Sequence, residues 1–394
     1  MECNCIIRPC VSTTMSSLPI IDIRPYLSPN HGNAAARRAT SQALHDACLQ
    51  FGFFYLDLSA YVDPAVPEEL ATLARRFFRL PQADKDKLAL SNQDNARGYQ
   101  RLKENVTNGK VGGRAPVLSR RSTCIRKADN HEGLDFYKPV ENPDKTKTLW
   151  GENQWPNVPG FKEKYEEWVD KMKNLGLIVM EAMAIGLGMT PDEWEELRSQ
   201  VDDSFWVMRA IGYPPLPQDS DGFSCGAHKD YGCLTFLYAD PTPSALQVFL
   251  GQTGGSSVPN TTGLPAEQGA DEGVWINADP IPGCVVCNIG EMWEVWSNGL
   301  YRSTLHRVVH RSANYRVSYV STPITLANRC KRIDYRVPFF FEPNFNAHVK
   351  PLAAAKRIQG ETENIPDKRS VVYGDFLMAK VGNNFVGGKG KYDD

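Results

Sequence analysis

Along the first half of the chain apolar residues recur at three- and four-residue steps, and along the second half they fall into short alternating runs. That contrast predicts helices packed on a β body. After a short strand around Ile20, residues 33–51 carry Ala36, Ala43, Leu44, Ala47, Cys48 and Phe51 at helical spacing, with Asn33 as N-cap and Gly52 as the stop. A buried strand over 53–58 follows, then a second helix over 67–80 with Leu70, Leu73, Ala74, Phe77 and Phe78 inward. Phe161, Tyr165, Trp168, Met172, Leu175, Val179 and Met183 form one stripe, which predicts a long amphipathic helix ended by Gly186 and Gly188. An aromatic and methionine stripe at this spacing is a core face and takes no cofactor role. Thr190 and Pro191 cap and start a short helix.

Beyond Phe205 the runs become short, β-branched and aromatic, cut by Gly, Pro and Asn. Candidate strands are 205–213, 234–238, 246–250, 274–277, 283–289, 303–309, 316–322 and 339–341. About eight such strands suit a jelly roll. The expected class is α+β, with N-terminal helices on the jelly roll and a C-terminal helical segment. The chain divides into an extension over 1–17, a helical and strand region over 18–200, the jelly-roll core over 201–345, and a loop and helix over 346–394 that wrap it. Residues 92–137 lack a sustained period and read as irregular connection with short strands, and 251–273 as a polar insertion between strands.

Composition narrows the partners. In 394 residues, 42% hydrophobic and 23% charged, the net charge of −2 carries no basic bias toward nucleic acid or an anionic membrane. No apolar run is long enough to span a bilayer. Ten cysteines without a signal peptide read as reduced thiols of a cytoplasmic protein. Cys284-Val285-Val286-Cys287 has redox or zinc spacing but no second pair, and it reads as two small strand residues.

Candidate chemistry gathers at Ala227-His228-Lys229-Asp230-Tyr231. In an extended segment His228 and Asp230 point the same way and Lys229 the other. With His306, in a second strand-like run, they make two imidazoles and one carboxylate, the set that leaves one face of a ferrous ion open for dioxygen chemistry. Ten residues on, Arg316-x-Ser318 pairs a guanidinium with a hydroxyl, suited to gripping a carboxylate.

His228-x-Asp230, His306 and Arg316-x-Ser318, in that order, resemble the Fe(II)/2-oxoglutarate-dependent dioxygenases of the isopenicillin N synthase-like group. Leu18-Pro19-Ile20-Ile21-Asp22-Ile23, Gly212-Tyr213-Pro214-Pro215, Asn288-Ile289-Gly290-Glu291-Met292 and Trp296-Ser297-Asn298-Gly299 extend the likeness from about Leu18 to the C-terminal region. The resemblance implies a double-stranded β-helix, with Fe(II) held by His228, Asp230 and His306. It implies 2-oxoglutarate held at its C5 carboxylate by Arg316 and Ser318, with Tyr213 adding a hydrogen bond. Dioxygen is consumed, succinate and carbon dioxide are released, ascorbate is supportive, and a small organic molecule of secondary metabolism is hydroxylated, desaturated or cyclised. The spacing to Arg316 selects His306 over His310, which is expected at the rim. Arg97, Tyr99, Leu102, Phe136 and Arg209 are the candidates for a substrate pocket. Two further readings stay open: a same-fold iron oxidase that does not use 2-oxoglutarate, and a metal-binding jelly roll without turnover.

Overall fold

The computed structural model describes residues 17–27, 33–105, 128–214, 216, 223–239, 242–251, 273–311, 334–360 and 370–384. The N-terminal part runs β1 (Ile20–Asp22), α1 (Arg24–Leu27), α2 (Ala34–Gln50), β2 (Phe53–Asp57), α3 (Ala65–Phe78), α4 (Gln82–Asp86), β3 (Gly98–Gln100), β4 (Glu132–Tyr137), α5 (Phe161–Gly186) and α6 (Pro191–Arg198). The β body follows with β5 (Val207–Tyr213), β6 (Cys225–His228), β7 (Leu234–Ala239), β8 (Leu246–Gly251), β9 (Gly273–Asn277) and β10 (Cys284–Ile289). It continues through α7 (Glu291–Trp296), β11 (His306–Val308) and β12 (Asp334–Phe341). The chain then forms β13 (His348–Val349), α8 (Ala353–Gln359), β14 (Val371–Val372) and α9 (Tyr373–Asn384).

The local rules that predict the helices operate as expected. Asn33 caps α2 by accepting from the Ala35 N–H, and Gly52 ends that turn of chain at φ +63, where an added Cβ would strike the Arg302 carbonyl. Thr190 and Glu193 form a reciprocal capping box at α6. The α5 stripe from Phe161 to Met183 is buried throughout. Three short helices, α1, α4 and α8, and the six-residue α7 were not expected, because none is long enough to show a hydrophobic period.

Among the described residues, one sheet has eight strands in the order β1-β2-β10-β7-β12-β5-β4-β3, and a second has four in the order β6-β11-β8-β9. The N-terminal region thus supplies β1 to β4 to the larger sheet. Alternation gives that sheet two different faces. Phe54, Leu56, Leu134, Phe136, Met208, Ala210 and Phe236 join α3 and α5 in one core. Phe53, Tyr55, Ile211, Tyr213 and Val286 point the other way and meet Leu246, Val248, Ile276 and Val308 of the smaller sheet in a second core.

Two expected strands changed. The 303–309 run narrows to β11, and 339–341 proves to be the end of the longer β12. The expected 316–322 strand and nearly all of the 251–273 insertion lie outside the described residues. Among the described residues, no helix is long and apolar enough to cross a membrane.

Candidate metal centre

β6 and β11 run antiparallel with His228 and His306 as direct partners, and their ring centroids lie 4.3 Å apart. β11 also pairs with β8, His306 facing Val248, so His306 is held from both sides. Strand β6 ends at His228, so alternation does not reach Asp230 as expected; the turn after the strand brings it round instead. That turn is fixed by the start of α7. The Gly290, Glu291 and Met292 N–H groups donate to the carbonyls of Cys233, Asp230 and Gly232 at 2.9, 2.9 and 3.1 Å. Helix-start donors that would otherwise lack partners are satisfied by the turn that carries the carboxylate. The approach is close enough to demand glycine, since a Cβ on Gly290 would lie 2.2 Å from the Gly232 carbonyl oxygen.

Asp230 Oδ1 stands 3.8 Å from His228 Nε2 and 3.7 Å from His306 Nε2. An ion with bonds of about 2.0–2.2 Å can bridge atoms up to roughly 4 Å apart. The remaining polar atoms of all three side chains face away and are engaged. His228 Nδ1 donates to the Gly226 carbonyl at 2.8 Å and His306 Nδ1 to the Thr304 carbonyl at 3.1 Å. A carbonyl only accepts, so Nδ1 carries a hydrogen in each ring and Nε2 is the nitrogen turned to the site. Asp230 Oδ2 accepts from Asn288 Nδ2 at 2.6 Å and from the Thr235 hydroxyl. Burial works against the Asp230 carboxylate, but the His306 and His228 imidazoles and these two hydrogen bonds outweigh it and hold its pKa below the ordinary range. Phe53 packs edge-on to His306 at 5.2 Å. His306 and Asp230 are each 7% exposed, while the His228 side chain is 28% exposed, so the open side of the cluster is at His228. Two imidazole nitrogens and one carboxylate oxygen, each oriented by an outer hydrogen bond, suit a ferrous ion with open positions.

The sequence alone gives Asn288 and Thr235 no site role. Asn288 had a signal: it is the one amide in the apolar run Cys284–Ile289. Thr235 had none, since threonine is an ordinary strand residue.

The other expected residues divide. Tyr213 is buried, shares the inter-sheet face with Ile211, and packs 5.5 Å from the His131 ring. Arg316 and Ser318 lie outside the described residues. Arg97 is fully buried in an ion pair with Asp94 and donates to the Lys138 carbonyl at 3.0 Å. Tyr99 and Phe136 point to the helix side of the larger sheet. Tyr99 meets Phe77 edge-on and bonds Glu132 at 2.6 Å, and Phe136 stacks on Trp155 at 4.2 Å. Leu102 is exposed in a turn. Of the five, Arg209 alone shares the face of Ile211 and Tyr213. Its Nε donates to Asp135 at 2.7 Å and its Nη2 to Gln100 at 3.2 Å. His310, expected at the rim, is buried at 1% exposure, its backbone N–H donating to the Ser224 hydroxyl at 3.0 Å. Cys287 lies in the helix-side core and Cys284 packs against the inter-sheet core, so the two thiols point to opposite faces of β10 and cannot chelate together.

Two family models match the chain. Residues 18–158 match the N-terminal region described as non-haem dioxygenase in morphine synthesis, and residues 203–322, which contain His228, Asp230 and His306, match the 2OG-Fe(II) oxygenase superfamily. The chain is 36% identical to homoarginine-6-hydroxylase 2-ODD-C23 of Glycine max, over 95% of this chain and 99% of that one. It is 34% identical to homoarginine-6-hydroxylase 2-ODD-233 of Oryza sativa subsp. japonica, over 95% and 100%. In fold it resembles a full-length Neurospora crassa protein solved in complex with alpha-KG, with TM-score 0.67, 23% identity, and 92% and 95% of the two chains covered. JOX2, solved with 2OG, Fe and JA, matches at TM-score 0.63 and 18% identity over 92% of this chain and 84% of that one. Model matches over both halves and full-length identity to hydroxylases agree with the jelly-roll fold and the two-His, one-Asp cluster: this chain belongs to the 2OG-Fe(II) oxygenase superfamily and is an Fe(II)- and 2-oxoglutarate-dependent dioxygenase.

Proposed function

We propose that His228, Asp230 and His306 hold the ferrous ion, that Arg316, Ser318 and Tyr213 hold 2-oxoglutarate, and that the enzyme hydroxylates a guanidino amino acid. The observation that carries the first part is the convergence of His228 Nε2, His306 Nε2 and Asp230 Oδ1 on one point, with every other polar atom of the three turned outward. When bound there with 2-oxoglutarate, iron supplies the activation of dioxygen that oxidises the substrate, coupled to decarboxylation of the 2-oxoacid to succinate. The protein's part is orientation. The carbonyls of Gly226 and Thr304 set both imidazole tautomers, and Asn288 and Thr235 keep Asp230 Oδ1 free for the metal. Apolar side chains between the sheets, among them Phe53, Ile211 and Val248, restrict water around the reacting groups.

The substrate class rests on two supports. Relatives 34–36% identical over 95% of this chain carry the name homoarginine-6-hydroxylase. On the same face of β5 as Ile211 and Tyr213 stands Arg209, held by Asp135 through Nε, a guanidinium of the kind that can meet the carboxylate end of an amino acid. A cytosolic setting fits the five cysteines among the described residues, all thiols rather than disulfides. The test is succinate formation from labelled 2-oxoglutarate with Fe(II) and ascorbate, comparing homoarginine, arginine and lysine. Succinate that rises with homoarginine and yields a hydroxylated product supports the reading. Oxidation of a substrate without any 2-oxoglutarate requirement would return the protein to the iron-oxidase alternative.

A further inference from the structure

A second set of metal-ligating side chains lies close to the His228 ring. Asp129 and His131 lead into β4, and Cys225 opens β6. A carboxylate oxygen, a ring nitrogen and the sulfur of these three lie within 4.8 Å of one another. Asp129 and His131 are 3% and 1% exposed, and Cys225 is half-buried. Two hydrogen bonds bring the segments together: the Asn130 N–H donates to the Phe223 carbonyl at 3.2 Å, and the Gly226 N–H to the Asp129 side-chain Oδ1 at 2.9 Å.

The imidazole is prepared as a ligand in the same way as those of His228 and His306. His131 Nδ1 lies 2.9 Å from the Ser224 carbonyl oxygen, which can only accept, so Nδ1 carries the hydrogen and Nε2 offers its lone pair. Asn105 stands beside two of the three, with Nδ2 at 3.1 Å from Asp129 Oδ2 and 3.5 Å from His131 Nε2. Rotation of that carboxamide by half a turn replaces the donor with its carbonyl oxygen at the same place.

We propose that Asp129, His131 and Cys225, completed by the Asn105 carboxamide oxygen, form a second metal site that takes a zinc-class cation. The donor set is one imidazole, one thiolate and two oxygens. Sulfur selects a borderline ion over Mg²⁺ or Ca²⁺, and four protein donors make a closed tetrahedral site in place of an open catalytic one. Tetrahedral donors at bonds of about 2.0–2.3 Å sit roughly 3.3–3.8 Å apart, so the widest pair closes by up to about 1.5 Å on binding. The bound ion displaces the thiol proton to solvent and involves no redox change. Cys225 Sγ is 3.9 Å from His228 Nδ1, so a cation here adjoins an iron ligand on the side away from its Nε2.

Cobalt(II) tests the site by a signal that the iron centre cannot give, because His228, Asp230 and His306 include no sulfur. The reduced, chelator-treated full-length protein is titrated anaerobically with cobalt(II). Two equivalents are expected, one of them accompanied by near-ultraviolet thiolate-to-cobalt charge transfer. Cys225→Ser removes that band and one equivalent, and His131→Ala loses the same equivalent over the same cobalt range. His306→Ala keeps the band and loses the other equivalent, so failure of the iron assignment is read separately from failure of this one. A wild-type protein that binds a single equivalent without the band overturns the proposal, as does a band that persists in Cys225→Ser, a one-atom change that keeps the fold.

Discussion

Replacing Asn288 with alanine tests how the carboxylate is held. Asn288 is 3% exposed and donates to Asp230 Oδ2 at 2.6 Å, sharing that oxygen with the Thr235 hydroxyl. A hydrogen bond to a charged acceptor is worth about 1.5–3 kcal/mol when its loss leaves the charge buried. Thr235 remains in the variant, so Asp230 keeps one outer partner and the loss falls short of full ligand removal. Outer-shell changes of this kind cost about 10–100-fold in metal affinity. That corresponds to roughly 1.4–2.7 kcal/mol, in line with the hydrogen bond itself. The assay is anaerobic Fe(II) binding in competition with a chelator of known affinity, followed by 2-oxoglutarate turnover at saturating iron. Affinity is expected to fall within that range, with turnover reduced less once iron saturates. Thr235→Val should act in the same direction, and the double variant should exceed the sum of the two because each covers for the other. A folded Asn288→Ala protein with wild-type Fe(II) affinity would refute the orienting role.

Other outcomes follow from the same contacts. Gly290→Ala places a Cβ 2.2 Å from the Gly232 carbonyl oxygen, so the Asp230 turn must move; a stability loss of about 1–3 kcal/mol by urea unfolding with a clear loss of Fe(II) binding is expected. Gly176→Ala puts a Cβ 2.2 Å from the Phe341 ring; overpacking of about 1–3 kcal/mol outweighs a helix-propensity gain of about 1 kcal/mol, and the midpoint of unfolding should fall. Glu342 is 4% exposed, and its pKa is pushed up to about 8 by burial and the nearby Asp230 charge, against hydrogen bonds from Tyr373 and the Cys233 N–H. Between its ordinary 4.5 and about 8 the unfolded chain has released a proton that the folded chain keeps, so stability falls as pH rises through that window. Glu342→Gln should flatten that slope in urea midpoints of the metal-free protein from pH 5 to 8, and an unchanged slope would remove Glu342 as its source.

How much was legible in the chain depended on the range of the physics. The α5 stripe and the Asn33 and Thr190 caps are local, and each formed where its residues predict. The two imidazoles and Asp230 were readable as ligand types in order. The reason Asp230 faces them was not readable, because strand alternation stops at His228 and the turn is set by α7, about sixty residues away, where no periodicity announces a six-residue helix. The facing of the substrate-pocket candidates was least legible. Tyr99 and Phe136 differ from Arg209 only in which face of the larger sheet they occupy, and strand parity alone does not say which face meets the second sheet. Arg97 is paired with Asp94, three residues earlier, an ion pair that loop composition does not reveal.

The proposed chemistry turns on one ion bound by three named atoms. The most direct measurement is an anaerobic crystal structure of the full chain grown with Mn(II), as a redox-silent stand-in for iron, and 2-oxoglutarate. One manganese bonded to His228 Nε2, Asp230 Oδ1 and His306 Nε2, and chelated by the 2-oxoacid, is the expected result. A manganese and 2-oxoglutarate bound elsewhere, or joined by His310 in place of His306, would contradict it.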